Sequence, residues 1–304
     1  MDKIKVGLLT MSDGRKYLHN EYMEINKNYQ KKIATRLNET GEFEVVQGRS
    51  IIGSNADAKK EAEFLRQQGV AVTIFNYAIW CYPQYTVVAQ NFAPGPYLLF
   101  SNCHPSECGM VGMLAASGAF EQLGIKHNRM WGNIDDEETL KKVCTFLRSS
   151  SVVNRLKGMT YGNFGGRPLG MYTAVSNLDE WQKKFGIDIE NIEQEDIIIE
   201  GQKICAEKVD NALKWLEKRC LSIEYDGKGL TQDTLKKQIR SYYGLKNIIN
   251  ERKLDFIGIK AHGDLTDRYI TMDIAEAFLN DPYDFDGPHE TVVAATESDM
   301  DGAL

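Results

Sequence analysis

No run in this 304-residue sequence approaches the roughly 20 consecutive apolar residues that a membrane-crossing helix needs. A membrane partner is not expected. Positive charge is not in excess either: 36 Lys and Arg stand against 43 Asp and Glu, a formal net charge of −7. Binding to nucleic acid or to an acidic membrane surface draws on a Lys/Arg surplus, so neither is expected. The six cysteines, at 81, 103, 108, 144, 205 and 220, form no CxxC pair and no regular spacing. Cys103, His104 and Cys108 fall short of a zinc set, and reduced thiols are the expected state. No glycines read GxGxxG between a strand and a helix, which argues against a nucleotide cofactor. The opening residues, 1–16, hold one basic cluster and an apolar run too brief for a signal peptide. A cytoplasmic location is expected.

What is present is the composition of a globular protein, 42% hydrophobic and 26% charged, in a chain long enough for two cores. Short apolar runs alternate with segments of helical period. Strands are expected at residues 5–10, 43–46, 70–75 and 97–101, with helices at 21–37, 54–68, 108–123 and 135–149 between and after them. The helix at 21–37 carries Tyr22, Ile25, Tyr29, Ile33 and Leu37 on one stripe. The polar stretch SSSVVNRLKG at 149–158 reads as a junction, which divides the chain into residues 1–153 and 154–304. The pattern then restarts, with strands at 157–161, 256–259 and 292–295. Helices are expected at 178–185, stopped by Gly186, and at 200–218, 231–252 and 274–279. The glycine-rich GNFGGRP at 162–168 reads as a turn. The class is α/β.

In open α/β sheets the carboxyl ends of the strands point into the crevice where ligands bind. Four such tips carry reactive or sticky side chains. Arg15 follows the first strand, where an arginine forks onto a hydroxyl or an anion, the bland reading being a solvated loop residue. Tyr77, Trp80 and Tyr82 follow the third; flat rings there stack on the apolar face of a sugar or fill a subunit contact. Lys260, His262 and Asp264 follow the strand at 256–259. Glu297 follows the last strand, just before Ser298-Asp299, which reads as the cap of a short helix. Two of these tips belong to one sheet, so Lys260, His262 and Glu297 are expected around one crevice.

Six segments together carry a family likeness: MSDGRK at 11–16, IWCYPQ at 79–84, MVGMLAASGA at 110–119, FGGRPLGMYTA at 164–174, KAHGDLTD at 260–267 and VVAATESDMDGAL at 292–304. In them the chain resembles the L-fucose isomerase group of aldose-ketose isomerases. The resemblance implies two doubly wound, Rossmann-like α/β domains with parallel sheets, and a third, largely β, domain that this sequence lacks. It implies that Glu297 binds Mn²⁺, with Mg²⁺ as the other candidate, and takes part in proton transfer. Lys260 stands where the family often has a substrate-contacting glutamine. Arg15 and Trp80 match residues that, in the family's hexamer, reach the site of a neighbouring subunit.

The resemblance also implies the chemistry. Interconverting an aldose and a ketose, of the L-fucose/L-fuculose or D-arabinose/D-ribulose type, moves a proton between adjacent carbons through a cis-enediol. A divalent ion in an oxygen-rich site polarises the sugar oxygens, and two flanking acids exchange the proton. The family's second metal carboxylate and its metal histidine lie beyond the matched segments, and His262 and Asp264 are not assigned to those roles. The expectation is therefore a chain inactive by itself, from a homo-oligomeric cytoplasmic enzyme acting on a monosaccharide. The alternative is a non-catalytic sugar-binding or regulatory module that reuses the same two domains.

Overall fold

A computed structural model describes residues 3–304, in which the chain forms two compact units, one ending at Asn154 and one spanning Arg155–Leu304. In the first unit, β1 (Ile4–Met11), α1 (Lys16–Glu21), α2 (Met23–Glu39), β2 (Phe43–Gln47), α3 (Asn55–Gln67), β3 (Val72–Tyr77), α4 (Gln84–Gln90), β4 (Tyr97–Ser101), α5 (Gly109–Gln122), β5 (His127–Trp131) and α6 (Glu137–Leu156) follow one another. The five strands pair in parallel in the order β2-β1-β3-β4-β5. Alternate side chains of the central strands divide between two faces. Leu9, Met11, Phe75, Tyr77 and Leu99 face one core with Leu65 and Phe120, whereas Val6, Leu8, Ile74 and Leu98 face another with Ile33, Leu37 and Leu147. Each apolar run is thereby buried on both sides.

Several sequence expectations shift. The helix expected at 21–37 is preceded by an unexpected short one, α1, and is itself α2, shifted by two residues to Met23–Glu39. Its buried face includes Asn26 and Gln30, whose amide nitrogens donate to Ser12 Oγ (3.1 Å) and to the Gly48 carbonyl (3.0 Å). Neither residue belongs to an apolar stripe, yet both pin the helix to loops beside β1. Helix α4 and strand β5 are unexpected; β5, HNRMW, is an edge strand with half-exposed residues. The stretch 149–156 is not a loop, because α6 continues through it to Leu156. Helix α5 presses so closely on the end of β3 that a Cβ at Gly109 would sit 2.3 Å from the Tyr77 carbonyl oxygen. Only glycine fits there.

The second unit comprises β6 (Thr160–Phe164), α7 (Leu178–Phe185), β7 (Asp188–Ile192), α8 (Gln194–Gln202), α9 (Ala206–Arg219), α10 (Gln232–Arg252), β8 (Phe256–Ile259), α11 (Leu265–Arg268), α12 (Asp273–Asn280), a short hairpin of β9 (Tyr283–Asp284) and β10 (Gly287–Pro288), β11 (Val293–Thr296) and α13 (Met300–Ala303). Its main sheet is parallel, in the order β7-β6-β8-β11. Numbered within each unit, both sheets start 2-1-3-4, so the winding reverses between the first and third strands of each. Mixed α/β structure with parallel sheets is therefore the observed class.

Here too the sequence reading is corrected in places. The glycine-rich turn begins later than expected, because Gly162, Asn163 and Phe164 belong to β6. The single helix expected at 200–218 is α8 and α9, separated at residues 203–205. The last strand, read as buried, is an edge: Val293 is 46% exposed and only Ala294 is buried within it. Its free edge is answered by the Asn280 amide, which donates to the Ala294 carbonyl (2.9 Å) and accepts from the Ala294 N–H (3.2 Å). A side chain thus replaces a missing strand partner.

Candidate active site

Glu297 sits where β11 ends, in a turn in which it and Ser298 adopt positive φ (53° and 51°). The left-handed region is costly for side chains with a Cβ, so the turn must be held by its surroundings. The Ser298 N–H donates to the Ile259 carbonyl of β8 (3.0 Å), and its hydroxyl donates to the Phe164 carbonyl of β6 (3.3 Å). Gly258 admits this approach, since a Cβ there would lie 2.8 Å from Ser298 Cα and 1.8 Å from Tyr161 Oη. Asp299 then caps α13 by accepting from the Gly302 N–H. The turn ties together the tips of three strands.

The geometry aims the carboxylate. The His262 N–H donates to Glu297 Oε1 (3.0 Å) and, more weakly, to Oε2 (3.4 Å), and the Glu297 side chain is 16% exposed. The two sequence-predicted tips are thus brought together. Lys260 is at the same tip, but its ammonium is engaged by Asp264 (2.7 Å), which holds the Asp264 carboxyl below its ordinary range. Its backbone carbonyl accepts from the Gln194 amide. Lys260 is therefore presented as an ion pair, not as a free cation.

One acid near this site escaped the sequence reading. Glu276 lies on α12, one turn before Asn280, so it reaches the same edge of β11 at Thr296. Burial pushes its carboxyl up to about 7, the Thr296 hydroxyl opposes the shift, and Asp273 and Glu297 add to it. Among the described residues its Oε1 is buried without a hydrogen-bond partner. No sequence pattern marks this residue, because its role depends on how α12 lies along an edge strand.

In the first unit, Arg15 follows β1 and stands at the first position before α1, where its side chain makes no capping hydrogen bond. It is clamped by Asp13, which accepts from its backbone N–H (2.8 Å), from Nε (3.0 Å) and from Nη2 (2.7 Å). The fork holds the Asp13 carboxyl below the usual range, and Asp13 is 2% exposed. The sequence DGR contained this pair unread. Arg15 and Trp80 line one pocket of about 150 Å³ together with Tyr22, Ser106 and Glu107. Of the other aromatics expected on the β3 tip, Tyr77 is fully buried within the strand, its hydroxyl paired with Thr86 (2.8 Å). Tyr82 meets Trp80 edge to face, with ring centroids 6.5 Å apart.

As a metal centre, the residues present supply a hard oxygen donor, Glu297, of the type that suits Mn²⁺ or Mg²⁺. They do not make a complete ligand set. His262 Nε2 is 3.9 Å from Glu297 Oε1, Asp264 is committed to Lys260, and among the described residues no three His, Cys, Asp or Glu converge. No chemical step is routed through a metal on this geometry.

Comparison with known proteins gives these arrangements a context. The family described as L-fucose isomerase, first N-terminal domain, matches residues 3–158. The chain is 23% identical to the L-fucose isomerase of Haemophilus influenzae over 100% of its own length and 58% of that protein. It is 26% identical to the L-fucose isomerase of Bacteroides thetaiotaomicron over 97% of its length and 57% of the relative. The corresponding protein of Klebsiella pneumoniae is 25% identical over 97% of this chain and 56% of its own. The chain thus spans less than three fifths of the curated relatives it matches.

Proposed function

This chain belongs to the L-fucose isomerase family, and from that premise we propose that it is the N-terminal two-domain part of a Mn²⁺-dependent ketol isomerase. The observation that supports this reading best is Glu297, a carboxylate held at a parallel-strand tip by the His262 N–H with its turn fixed by β6 and β8. A base that removes a proton from one carbon and returns it to the next must keep one orientation through both transfers. The backbone donor at His262 supplies that orientation. Mn²⁺, or Mg²⁺ in its place, would take Glu297 as one ligand and polarise the sugar oxygens, the remaining ligands coming from outside the described residues. The Lys260–Asp264 pair would meet substrate hydroxyls beside it. No nucleotide cofactor is needed, since the isomerisation moves no net electrons.

The substrate in this reading is a neutral aldose of the L-fucose or D-arabinose type, converted to its ketose in the cytoplasm by a homo-oligomer, a hexamer in the family. The strand-tip pocket of the first unit, with Arg15 and Trp80, would serve a neighbouring subunit. Neither nucleic acid nor membrane takes part, and no helix among the described residues is long and apolar enough to cross a bilayer. Alone, the 304-residue chain is inactive. The test is ketose formation from L-fucose and D-arabinose with Mn²⁺. A polypeptide joining this chain to a segment that supplies the other ligands forms ketose and loses that activity in Glu297→Gln, while the chain alone forms none. Turnover by the chain alone, or an unimpaired Glu297→Gln in the longer polypeptide, overturns the reading.

A further inference from the structure

A cleft of about 330 Å³ opens in the second unit between one face of α9, the middle of α10 and the turn of the β9–β10 hairpin. Trp215, Tyr243 and Phe285 supply its apolar wall, and Glu207, Lys208 and Asp286 its charges. None of these residues belongs to the strand tips that hold Glu297, so the isomerase reading leaves the cleft unexplained. Its rings do not form one stacked layer. Phe285 meets Trp215 at 83° with centroids 5.5 Å apart, and Tyr243 at 48° and 6.1 Å, which makes the wall angled.

The hairpin turn is fixed by a buried acid. Asp284, 1% exposed, accepts from the Tyr242 hydroxyl, the Lys246 ammonium and the Asp286 N–H (2.7 Å). The Asp286 carboxylate in turn accepts from the Tyr243 hydroxyl (3.2 Å). A carboxylate is thereby set beside aromatic rings by the fold itself.

The protein's own cation shows what this arrangement attracts. The Lys208 ammonium lies 4.1 Å from the centre of the Tyr243 ring and 3.0 Å from Asp286. A ring face beside a carboxylate favours positive charge. Both partners are nearly half exposed, however, and an exposed pair of this kind is weakly held. Lys208 thus stands in for an external ammonium. An alkylated ammonium is less strongly hydrated than a lysine, so it gives up less water on entering an aromatic wall. A metal ion is a poorer match, because rings offer it no oxygen ligands.

We propose that this cleft is a binding site for a small organic cation, an alkylated ammonium that displaces the Lys208 side chain and lies between the rings and Asp286. The volume accommodates a molecule of choline's size. The inference is independent of the isomerase reading.

The test titrates choline, and beside it the uncharged carbon isostere dimethylbutanol, into the full 304-residue chain, with binding read by saturation-transfer NMR. Wild type binds choline in the millimolar range and the isostere about fivefold more weakly. Lys208→Met removes the competing charge and keeps an apolar stem, so choline tightens about fivefold. Adding Asp286→Asn to that variant weakens choline again by about the same factor. Circular dichroism confirms each fold, and the comparison of wild type with Lys208→Met decides if the double variant is misfolded. Equal binding of choline and its isostere overturns the proposal. So does an affinity that Lys208→Met fails to raise, one that a folded double variant fails to lower, or absence of binding to both wild type and Lys208→Met.

Discussion

The two units repeat one winding and treat their strand-tip acids in opposite ways. In the first, Asp13 is buried and answered within two residues by Arg15, so its charge is compensated locally. In the second, among the described residues, Glu297 accepts a hydrogen bond only from the His262 backbone N–H, and Glu276 keeps one oxygen with no partner. The same parallel architecture thus delivers a finished ion pair at one tip and unsatisfied carboxyl groups at another. Topology places the acids; local neighbours decide whether they are structural or reactive.

Changing what supports each tip should separate the two cases. The largest effect is expected at Gly258, where any Cβ meets a fixed Tyr161 ring and the Glu297–Ser298 turn. Gly258→Val should cost about 3 kcal/mol by overpacking, read from urea unfolding. A cost below about 1 kcal/mol would mean the turn is free to move.

Next comes Glu276. Its folded carboxyl, pushed up to about 7, holds a proton that the unfolded chain releases near pH 4.5. The folded state therefore binds more protons between those values, and stability falls as pH rises from about 4.5 to 7. With screening of a partly buried group, the loss is about 2 kcal/mol, and Glu276→Gln should remove it from the pH–stability profile. A profile unchanged by that substitution would place the acid in a wetter setting.

Asp13 should behave in the reverse sense. Its carboxyl is depressed by Arg15, so its contribution is present above about pH 4 and disappears as the pH falls through the lower folded value. Asp13→Asn should cost about 1–2 kcal/mol at neutral pH and little in strong acid, checked by thermal melts across pH. The smallest differences are expected where the units are alike. Ser54 caps α3 by accepting from the Asp57 N–H, and Thr231 caps α10 in a capping box with Thr234. Alanine at either position should cost about 1 kcal/mol in denaturant titrations. A large asymmetry between the caps would show that the second unit is marginal for reasons other than its acids.

Much of this was legible because strand tips announce themselves. Short apolar runs marked β1, β4, β8 and β11 to within a residue or two, and five of the six family segments fall at the carboxyl ends of β1, β3, β6, β8 and β11. Gly186, read as a helix stop, closes α7 with φ of 71°. What periodicity could not reveal were contacts made across the sequence. The edge position of β11 depends on Asn280, the elevated carboxyl of Glu276 on the lie of α12, and the Lys260–Asp264 pair on a one-turn return of the chain. Strand β5 was invisible because an edge strand of polar residues carries no apolar run.

The central claim is that Glu297 is one ligand of a metal site that this chain does not complete. Isothermal titration of Mn²⁺ into the 304-residue protein, with Glu297→Gln beside it, tests that claim most directly. The account predicts weak or absent binding to both. Binding tighter than about 10 μM, roughly 7 kcal/mol, that is lost in Glu297→Gln would contradict it and show that the described residues already hold a full coordination set.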